Sequence, residues 1–343
     1  MVTSVIFSIV YGKQIKSMDD EYVILAQRGI EGISQACIPG IYWVEYLPFL
    51  RYVPSWVPST TSRQLADKYK PYVLGVRDKP YQEVKDAVDN GTATPSVASG
   101  LIEEIRAGHV DENVARNVTS VAYAAGADTT TSAAEYFLLA MAMFPEVQKK
   151  AQAELDLVVG PYRLPEYDDV DNIPYIRAIF LETMRWLPVV PFGIPHRVTA
   201  DDIYEGHHIP KGTNLIPNVW AMLRNSEDYP EPELFKPERF LGEDGKIDVN
   251  VRDPTTIAFG FGRRLCPGRH LSANTLTICI ASTLHAFDIT PGVDTSGRPV
   301  KLTTEIVGGL IAMPKDFPCG LKPRSETASR LIREAAAQVD LNH

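Results

Sequence analysis

The residues best suited to chemistry lie in one short segment, Phe259-Gly-Phe-Gly-Arg-Arg-Leu-Cys266-Pro-Gly268. Gly262 allows the backbone to turn sharply before the cysteine, and Gly268 allows the following helix to approach a flat group closely. The apolar run from Leu271 to Leu284 predicts a buried helix, so Cys266 would lie just before a helix N-terminus. There the helix dipole and the unpaired N–H groups stabilise a thiolate, which is a metal ligand.

Two neighbours could support such a sulfur. Arg264 adds a cation able to pair with a carboxylate, and Phe259 can shield the sulfur from water. Two alternatives remain open at this point. Cys266 could be a buried thiol in a glycine-rich turn, the usual place of a free cysteine. A zinc site fits less well, because no second cysteine stands at metal-ligand spacing.

The segment resembles the haem-binding signature of the cytochrome P450 family, F-x-x-G-x-R-x-C-x-G, at every fixed position. The resemblance implies that Cys266 is the axial thiolate ligand of heme b (iron protoporphyrin IX). It implies that Arg264 contacts a haem propionate, and that Phe259, Gly262 and Gly268 shape the loop around the cofactor.

Composition sets outer limits on the class of protein. The chain has 343 residues, 45% hydrophobic and 22% charged, which is typical of a globular protein with a sizeable core. A net charge of −9 argues against nucleic acid as a partner. Four scattered cysteines, with no secretory signal before them, favour a reducing intracellular setting. No stretch is long enough to span a bilayer, and the apolar run 2–11 predicts a core helix.

Apolar periodicity predicts a fold that is mainly α with a small β portion. Asp111 is a candidate N-cap, and Pro145 suits the first turn of a helix. Strands are expected at 196–204 and 208–216, joined as a hairpin at Glu205-Gly-His207, and within 289–322. Helices are expected at 2–11, 17–36, 63–88 with a break near Pro71, 111–144, 145–159, 173–187, 271–284 and, helical or frayed, from 326.

Glu182 and Arg185 stand three residues apart and therefore on one helix face. By periodicity alone they form a solvated ion pair worth under about 1 kcal/mol, on the side opposite the apolar stripe. Downstream, Pro237-Glu-Arg239-Phe240 supplies a second arginine. The order of E-x-x-R and P-E-R-F resembles the structural triad of the same family. That resemblance implies that Glu182, Arg185 and Arg239 form a charge cluster that fixes the fold around the haem.

The stretch Ala125-Gly-Ala-Asp128-Thr129-Thr130 places an acid and two alcohols in an otherwise apolar helix. The Thr129 hydroxyl can bond the carbonyl of Ala125, bend the helix and open a groove for water, beside which an acid could relay protons. Alternatively, Ser132-Ala-Ala-Glu135 matches a capping box, which would make this the junction of two helices. The resemblance implies Thr129 as the oxygen-contacting alcohol and Asp128 as its acid partner.

Three further signals are weaker. Arg197 begins a strand, and the resemblance implies a propionate contact, although such a residue is more often a surface arginine. His207 and His208 have no partner at ligand spacing and are expected to be solvent-exposed. The apolar turns Val189–Gly193 and Val307–Leu310 resemble family segments that line the substrate pocket, and would otherwise be ordinary core.

Residues 41–56 are rich in tryptophan, tyrosine and proline. They form either a membrane-surface contact or an irregular loop packed on the core, and the residues alone favour the loop.

The resemblance extends over about residues 15–325 and is strongest to fungal microsomal members. It implies one cytochrome P450 domain, 1–343, that lacks its N-terminal part. Residues 1–100 would form substrate-access helices and a loop, 101–325 the haem-binding core, and 326–343 a tail. The full-length type sits on the cytoplasmic face of the endoplasmic reticulum membrane. Without the anchor, this chain is expected to be peripheral or cytoplasmic.

The implied function is a haem-thiolate monooxygenase that inserts one oxygen atom from O2 into a small lipophilic substrate, in secondary or xenobiotic metabolism. Electrons would come from a separate NADPH-cytochrome P450 reductase, with cytochrome b5 as a second candidate donor, because no dinucleotide- or flavin-binding fingerprint is present. The alternatives are a truncated, non-catalytic remnant and a haem-binding protein without turnover.

Overall fold

The structure, a computed structural model, describes residues 2–15, 17, 19–38, 40–57 and 60–341. These residues are mainly helical, with short strands in two-stranded sheets, which confirms the predicted fold class. The chain divides into two compact units. The first unit holds the residues up to Thr131 together with Gly308–Ile311, and the second holds Ser132–Val307 and the residues from Ala312 onward.

The first unit is helical. Its core is an aromatic and aliphatic cluster that includes Phe7, Tyr11, Tyr81 and Tyr123. Its helices are α1 (Val2–Tyr11), α2 (Glu21–Ala36), α3 (Trp43–Tyr46), α4 (Thr61–Asp89), α5 (Val97–Arg106) and the first part of α6 (Glu112–Met143).

The second unit holds the rest of α6, the larger core and the strand residues apart from Gly308. The core is built around fully buried side chains of α9 and α12, among them Phe180, Trp186 and Ile280. The helices are α7 (Pro145–Val158), α8 (Tyr167–Val170), α9 (Pro174–Trp186), α10 (Val219–Met222), α11 (Thr255–Ala258), α12 (Arg269–Ala286) and α13 (Glu326–Leu341).

The strands form pairs rather than a continuous sheet: β1 with β4, β2 with β3, β5 with β8, and β6 with β7. They are β1 (His196–Arg197), β2 (Asp202–Tyr204), β3 (His207–Ile209), β4 (Asn214–Leu215), β5 (Phe287–Pro291), β6 (Ile306–Gly308), β7 (Ala312–Pro314) and β8 (Cys319–Pro323).

Several helix ends lie where local sequence predicts them. The Asp111 carboxylate accepts bonds from the N–H groups of Asn113 (2.9 Å) and Val114 (3.2 Å), the capping arrangement that satisfies otherwise free donors. Pro145 and Pro174 occupy the first helical positions of α7 and α9, where a missing N–H costs nothing.

The predicted break near Pro71 is wrong, because α4 continues through both Pro71 and Pro80. Proline removes one helical hydrogen bond, which leaves the carbonyl of Asp67 without its intrahelical donor. Asp67 is exposed, so water can bond that carbonyl, while Tyr69 and Val76 bury the opposite face of α4.

The predicted hairpin of two long strands is also only partly right. The segment forms four short strands, and the turn of the β2–β3 hairpin is Glu205-Gly206. Both turn residues have positive φ (47° and 82°), as a type I′ turn requires. His207 and His208 are exposed, as expected.

The aromatic segment 41–56 does not pack on the core. Five of its aromatic side chains are between 61% and 81% exposed: Trp43, Tyr46, Phe49, Tyr52 and Trp56. The favoured expectation of a loop packed on the core is therefore wrong for these side chains. Among the described residues, no helix combines the length and the apolar character needed to cross a membrane.

Candidate functional site

The cysteine loop connects α11 to α12 and is held by its own backbone. The Cys266 N–H donates to the Phe259 carbonyl at 2.8 Å and closes the loop. Within it, the Leu265 N–H donates to the Gly262 carbonyl at 3.2 Å, across the single 3₁₀ turn Gly262–Arg264. Gly262 has φ +57°, a conformation that strains any residue with a Cβ, so the predicted sharp turn before the cysteine is present.

The sulfur of Cys266 lies beside the N-terminus of the 18-residue helix α12. Gly268 is the N-cap, and the first helical bond runs from Ser272 N–H to the Gly268 carbonyl at 2.8 Å. A Cβ placed on Gly268 would lie 3.9 Å from the Cys266 sulfur. Because Gly268 carries no side chain, the space beside the half-buried sulfur stays open to a flat group.

The other thiols are less suited to act as ligands. All four cysteines are described and none forms a disulfide. Burial raises the pKa of the Cys279 and Cys319 thiols, which keeps them protonated, and Cys37 is exposed at the C-terminus of α2. Cys266 is therefore the thiol that combines partial exposure with a helix start.

Two exposed arginines of the second unit are available to an anion. Arg264 lies in the 3₁₀ turn of the cysteine loop and Arg197 in β1. Within the described ranges, neither guanidinium takes part in a salt bridge. Phe259, at the start of the loop, is half-buried and packs against the second unit's core.

The Glu182 carboxylate of α9 binds two arginines. Arg185 contacts both carboxylate oxygens, through Nε at 2.7 Å and Nη2 at 2.8 Å, and the Arg239 Nε lies 3.2 Å from the same carboxylate. The Lys236 N–H donates to it at 2.7 Å. Glu182 and Arg185 are both fully buried at 0% exposure, so the alternative of a solvated pair on an outer helix face is wrong.

The remaining donors of Arg185 bind backbone carbonyls, a feature the sequence reasoning missed. Its guanidinium donates to the carbonyls of Leu223 (3.2 Å), Pro232 (2.9 Å) and Leu234 (3.0 Å). The only available signal was the proline-rich composition of residues 230–237. Such a composition favours irregular backbone, whose buried carbonyls need donors from elsewhere. Arg185 thus satisfies a segment that regular structure leaves unpaired.

Asp128 and Thr129 belong to the first unit, in the middle of α6. The Thr129 hydroxyl donates to the Ala125 carbonyl at 2.7 Å, the bond predicted from its spacing. The alternative of a junction between two helices is wrong, because α6 runs unbroken from Glu112 to Met143. Asp128 is half-buried and engaged in interactions within the structure.

The cysteine loop fits a metal whose other ligands come from an organic ring. Across the described part of the chain, no group of three or more His, Cys, Asp or Glu side chains could hold a metal ion by itself. A single thiol at a helix N-terminus, next to a glycine that leaves its side open, is the donor set that haem with a cysteine ligand needs. The residues present therefore fit that cofactor.

Comparison with known families agrees with this fit. The cytochrome P450 family model matches residues 1–315. The chain belongs to the cytochrome P450 family, which confirms the resemblance read from the sequence and implies a haem cofactor.

Several fungal relatives are similar along most of the chain. Cytochrome P450 monooxygenase ple1 of Rhodocybe pseudopiperita is 41% identical over 336 residues, which cover 97% of this chain and 64% of the relative. Cytochrome P450 monooxygenase COX2 of Coprinopsis cinerea is 40% identical, covering 98% and 65%. Tryptamine 4-monooxygenase of Psilocybe cyanescens is 39% identical, covering 90% and 62%. The chain thus spans less than two thirds of the length of these relatives.

Proposed function

We propose that the protein is a haem-thiolate monooxygenase that inserts one oxygen atom from O2 into a small lipophilic substrate. The observation that carries the proposal is the Cys266 loop: a half-buried thiol at the start of α12, held by the Cys266–Phe259 backbone bond and open on its Gly268 side. The monooxygenase names of the fungal relatives support the same class of reaction.

Each residue of the second-unit site has a proposed part in holding heme b. Cys266 would supply the thiolate ligand, and the N-terminus of α12 would stabilise its negative charge. Phe259 limits access of water to the sulfur, and the guanidinium groups of Arg264 and Arg197, which form no salt bridge with the described residues, bind the propionates. When bound, haem supplies the site that activates O2, with the thiolate donating electron density. The Glu182–Arg185–Arg239 cluster is structural.

Asp128 and Thr129 are proposed to handle protons. The Thr129 hydroxyl donates to its own helix, so its oxygen lone pairs remain able to accept a hydrogen bond. Asp128, the preceding residue, is a carboxylic acid able to exchange protons with water. The proposed partners are a separate NADPH-cytochrome P450 reductase, with cytochrome b5 as a second candidate, because the sequence carries no nucleotide-binding fingerprint.

The test is the absorption spectrum of the ferrous–carbon monoxide form of the purified chain after addition of hemin. We expect the spectrum of thiolate-ligated haem, lost in Cys266→Ser and kept in the matched control Cys279→Ser. A wild-type chain that takes up no haem would contradict the proposal and favour the remnant. A thiolate spectrum without product formation, in the presence of reductase, NADPH and a panel of lipophilic substrates, would favour haem binding without turnover.

We also propose that segment 41–56 contacts the surface of the endoplasmic reticulum membrane. Tryptophan and tyrosine side chains suit the boundary between lipid and water, and here they are exposed. Phosphatidylcholine vesicles should co-sediment with the protein, and Trp43→Ser with Trp56→Ser should reduce the bound fraction severalfold. Tyr162→Ser is the matched control, because Tyr162 is equally exposed but lies outside the segment. Equal binding by wild type and double variant would contradict the proposal.

The single-domain organisation over 1–343 stays a prediction. Its subdivision at residues 100 and 325 does so as well.

A further inference from the structure

Ser132 is a fully buried polar residue (0% exposed) in the second-unit part of α6. Its hydroxyl donates a hydrogen bond of 2.6 Å to the carbonyl of Ala312, the first residue of β7. The two residues are 180 positions apart in the chain, so this bond connects distant elements within the second unit.

The neighbouring hydroxyls of α6 behave differently. Thr129 and Thr131 each donate to the carbonyl four residues earlier in the same helix, at 2.7 Å. Ser132 does not donate to the carbonyl four residues earlier in its own helix. It does not cap a helix either, although its spacing to Glu135 suggested a capping box. Its donor serves β7.

Ala312 connects a third segment to this bond. Its N–H donates to the carbonyl of Val189 at 2.8 Å, in the loop that follows α9. Ala312 is itself buried, at 3% exposure. Both backbone polar groups of Ala312 therefore bind partners outside β7, and α6, the loop at Val189 and β7 meet at this one residue.

We infer that Ser132 is a positioning residue that sets the spacing of the Val189 loop and β7 from α6. The inference rests on the proposed function for its consequence, since the family resemblance implies that Val189–Gly193 lines the substrate pocket. Ser132 touches neither cofactor nor substrate in this role. It acts through Ala312.

Both partners of the Ser132–Ala312 hydrogen bond are buried. Without the hydroxyl, the Ala312 carbonyl loses a donor at a place where water is excluded, and an unsatisfied buried carbonyl is unfavourable. The loop and β7 then move or admit a water molecule to recover the bond. Either response shifts the Val189 loop, because the Ala312 N–H is hydrogen-bonded to the Val189 carbonyl.

Hydrogen exchange tests the junction without any cofactor. In Ser132→Ala, peptides that contain Ala312 should exchange about five- to tenfold faster, the loss expected from one buried hydrogen bond. Ser132→Thr keeps the donor and should restore slow exchange. Thr131→Ala, which removes an adjacent hydroxyl bonded within its own helix, is the matched control and should leave these peptides unchanged. Unchanged exchange in Ser132→Ala would overturn the inference.

A second measurement tests the effect on the pocket in hemin-loaded protein. Imidazole and 4-phenylimidazole bind haem iron through the same nitrogen but differ in bulk, and each binding is read from the absorption spectrum. Ser132→Ala should change the affinity for 4-phenylimidazole about fivefold and that for imidazole less than twofold, with an unchanged ferrous–carbon monoxide spectrum. Equal effects on both ligands would overturn the positioning role. If the wild-type chain takes up no haem, that result contradicts the proposed function but not the inference on Ser132. The hydrogen-exchange measurement then tests the inference by itself.

Discussion

At the scale of single residues, Glu182 is expected to have the largest effect on the stability of the fold. A buried carboxylate is tolerated only when charges and hydrogen bonds surround it, and Glu182 has two guanidinium groups and the Lys236 N–H. If Glu182 is neutralised, the buried guanidinium groups of Arg185 and Arg239 lose their negatively charged partner. The cluster is therefore a point where one substitution has a large effect on stability.

We expect Glu182→Gln to lower the free energy of unfolding by about 3–5 kcal/mol, measured by urea denaturation followed by circular dichroism. Glu334→Gln is the matched control, because Glu334 pairs with Arg330 on the exposed face of α13. That change should alter stability by less than about 1 kcal/mol. Similar effects of the two substitutions would contradict the role assigned to burial.

Residue types and spacing predicted the contacts of Glu182 with Arg185 and of Thr129 with Ala125. They did not predict the carbonyl partners of Arg185 or the use of Ser132. Both depend on backbone from distant parts of the chain, and a backbone carbonyl carries no mark in a sequence. Contacts between residues at fixed spacing could be predicted from the sequence. Contacts with distant main-chain carbonyls could be identified only once the fold was known.

At the scale of elements, the C-terminal end of α12 contains a buried histidine. His285 is 5% exposed, and its Nδ1 has no hydrogen-bond partner among the described residues. Arg324 donates to its carbonyl at 3.2 Å and pairs with Asp156, while Arg163 pairs with Asp169 nearby. Burial is the main cause that lowers the pKa of His285, and the charges of Arg324 and Arg163 act in the same direction. A hydrogen bond with the Arg163 backbone and the charge of Asp156 oppose the shift without reversing it.

This lowered pKa predicts a loss of stability in acid. The unfolded chain binds a proton on this histidine near its ordinary pKa of about 6.5, and the folded chain binds it only at lower pH. Stability should therefore fall as the pH drops from 7.5 through 6.5. His285→Gln should flatten that fall, and His109→Gln, at an exposed histidine, should not.

Thermal unfolding at a series of pH values measures the effect as a difference between variant and wild type. That difference is needed because burial raises the pKa of Glu135 and Glu154, and the folded state favours their protonated forms. Equal pH dependence in His285→Gln and wild type would count against the assignment.

Helices were predicted better than strands. Asp111 and Pro145 mark helix ends through local chemistry, so those ends could be read directly. The strands of residues 196–215 are only two or three residues long, and their pairing depends on which edges meet. Pro71 misled because local chemistry predicts a break, whereas packing of one face of α4 maintains the helix.

At the scale of the whole molecule, exposed apolar surface is the feature that most favours self-association. Val114, Val118 and Val121 stand at helical spacing on one exposed face of α6. Contiguous apolar surface of this kind promotes association, in contrast to scattered single side chains. The net charge of −9 opposes association through repulsion, which salt weakens.

Replacing all three valines with glutamine should reduce self-association, measured by light scattering at raised salt, and leave helical content unchanged. The control is Leu157→Gln, because Leu157 is 86% exposed but belongs to another helix, α7. If the triple variant scatters as much light as wild type, another surface is responsible.

The Arg185 contacts also fix a sequence of events during synthesis. Its carbonyl partners lie 38, 47 and 49 residues further along the chain. Until the ribosome has synthesised the residues that carry these carbonyls, the Arg185 guanidinium must remain hydrated. During that time α9 cannot be buried as it is in the folded protein. Maturation of the helix thus waits for a stretch without regular structure, and a stall in translation between Arg185 and Leu234 would leave the nascent chain with its central charge in water.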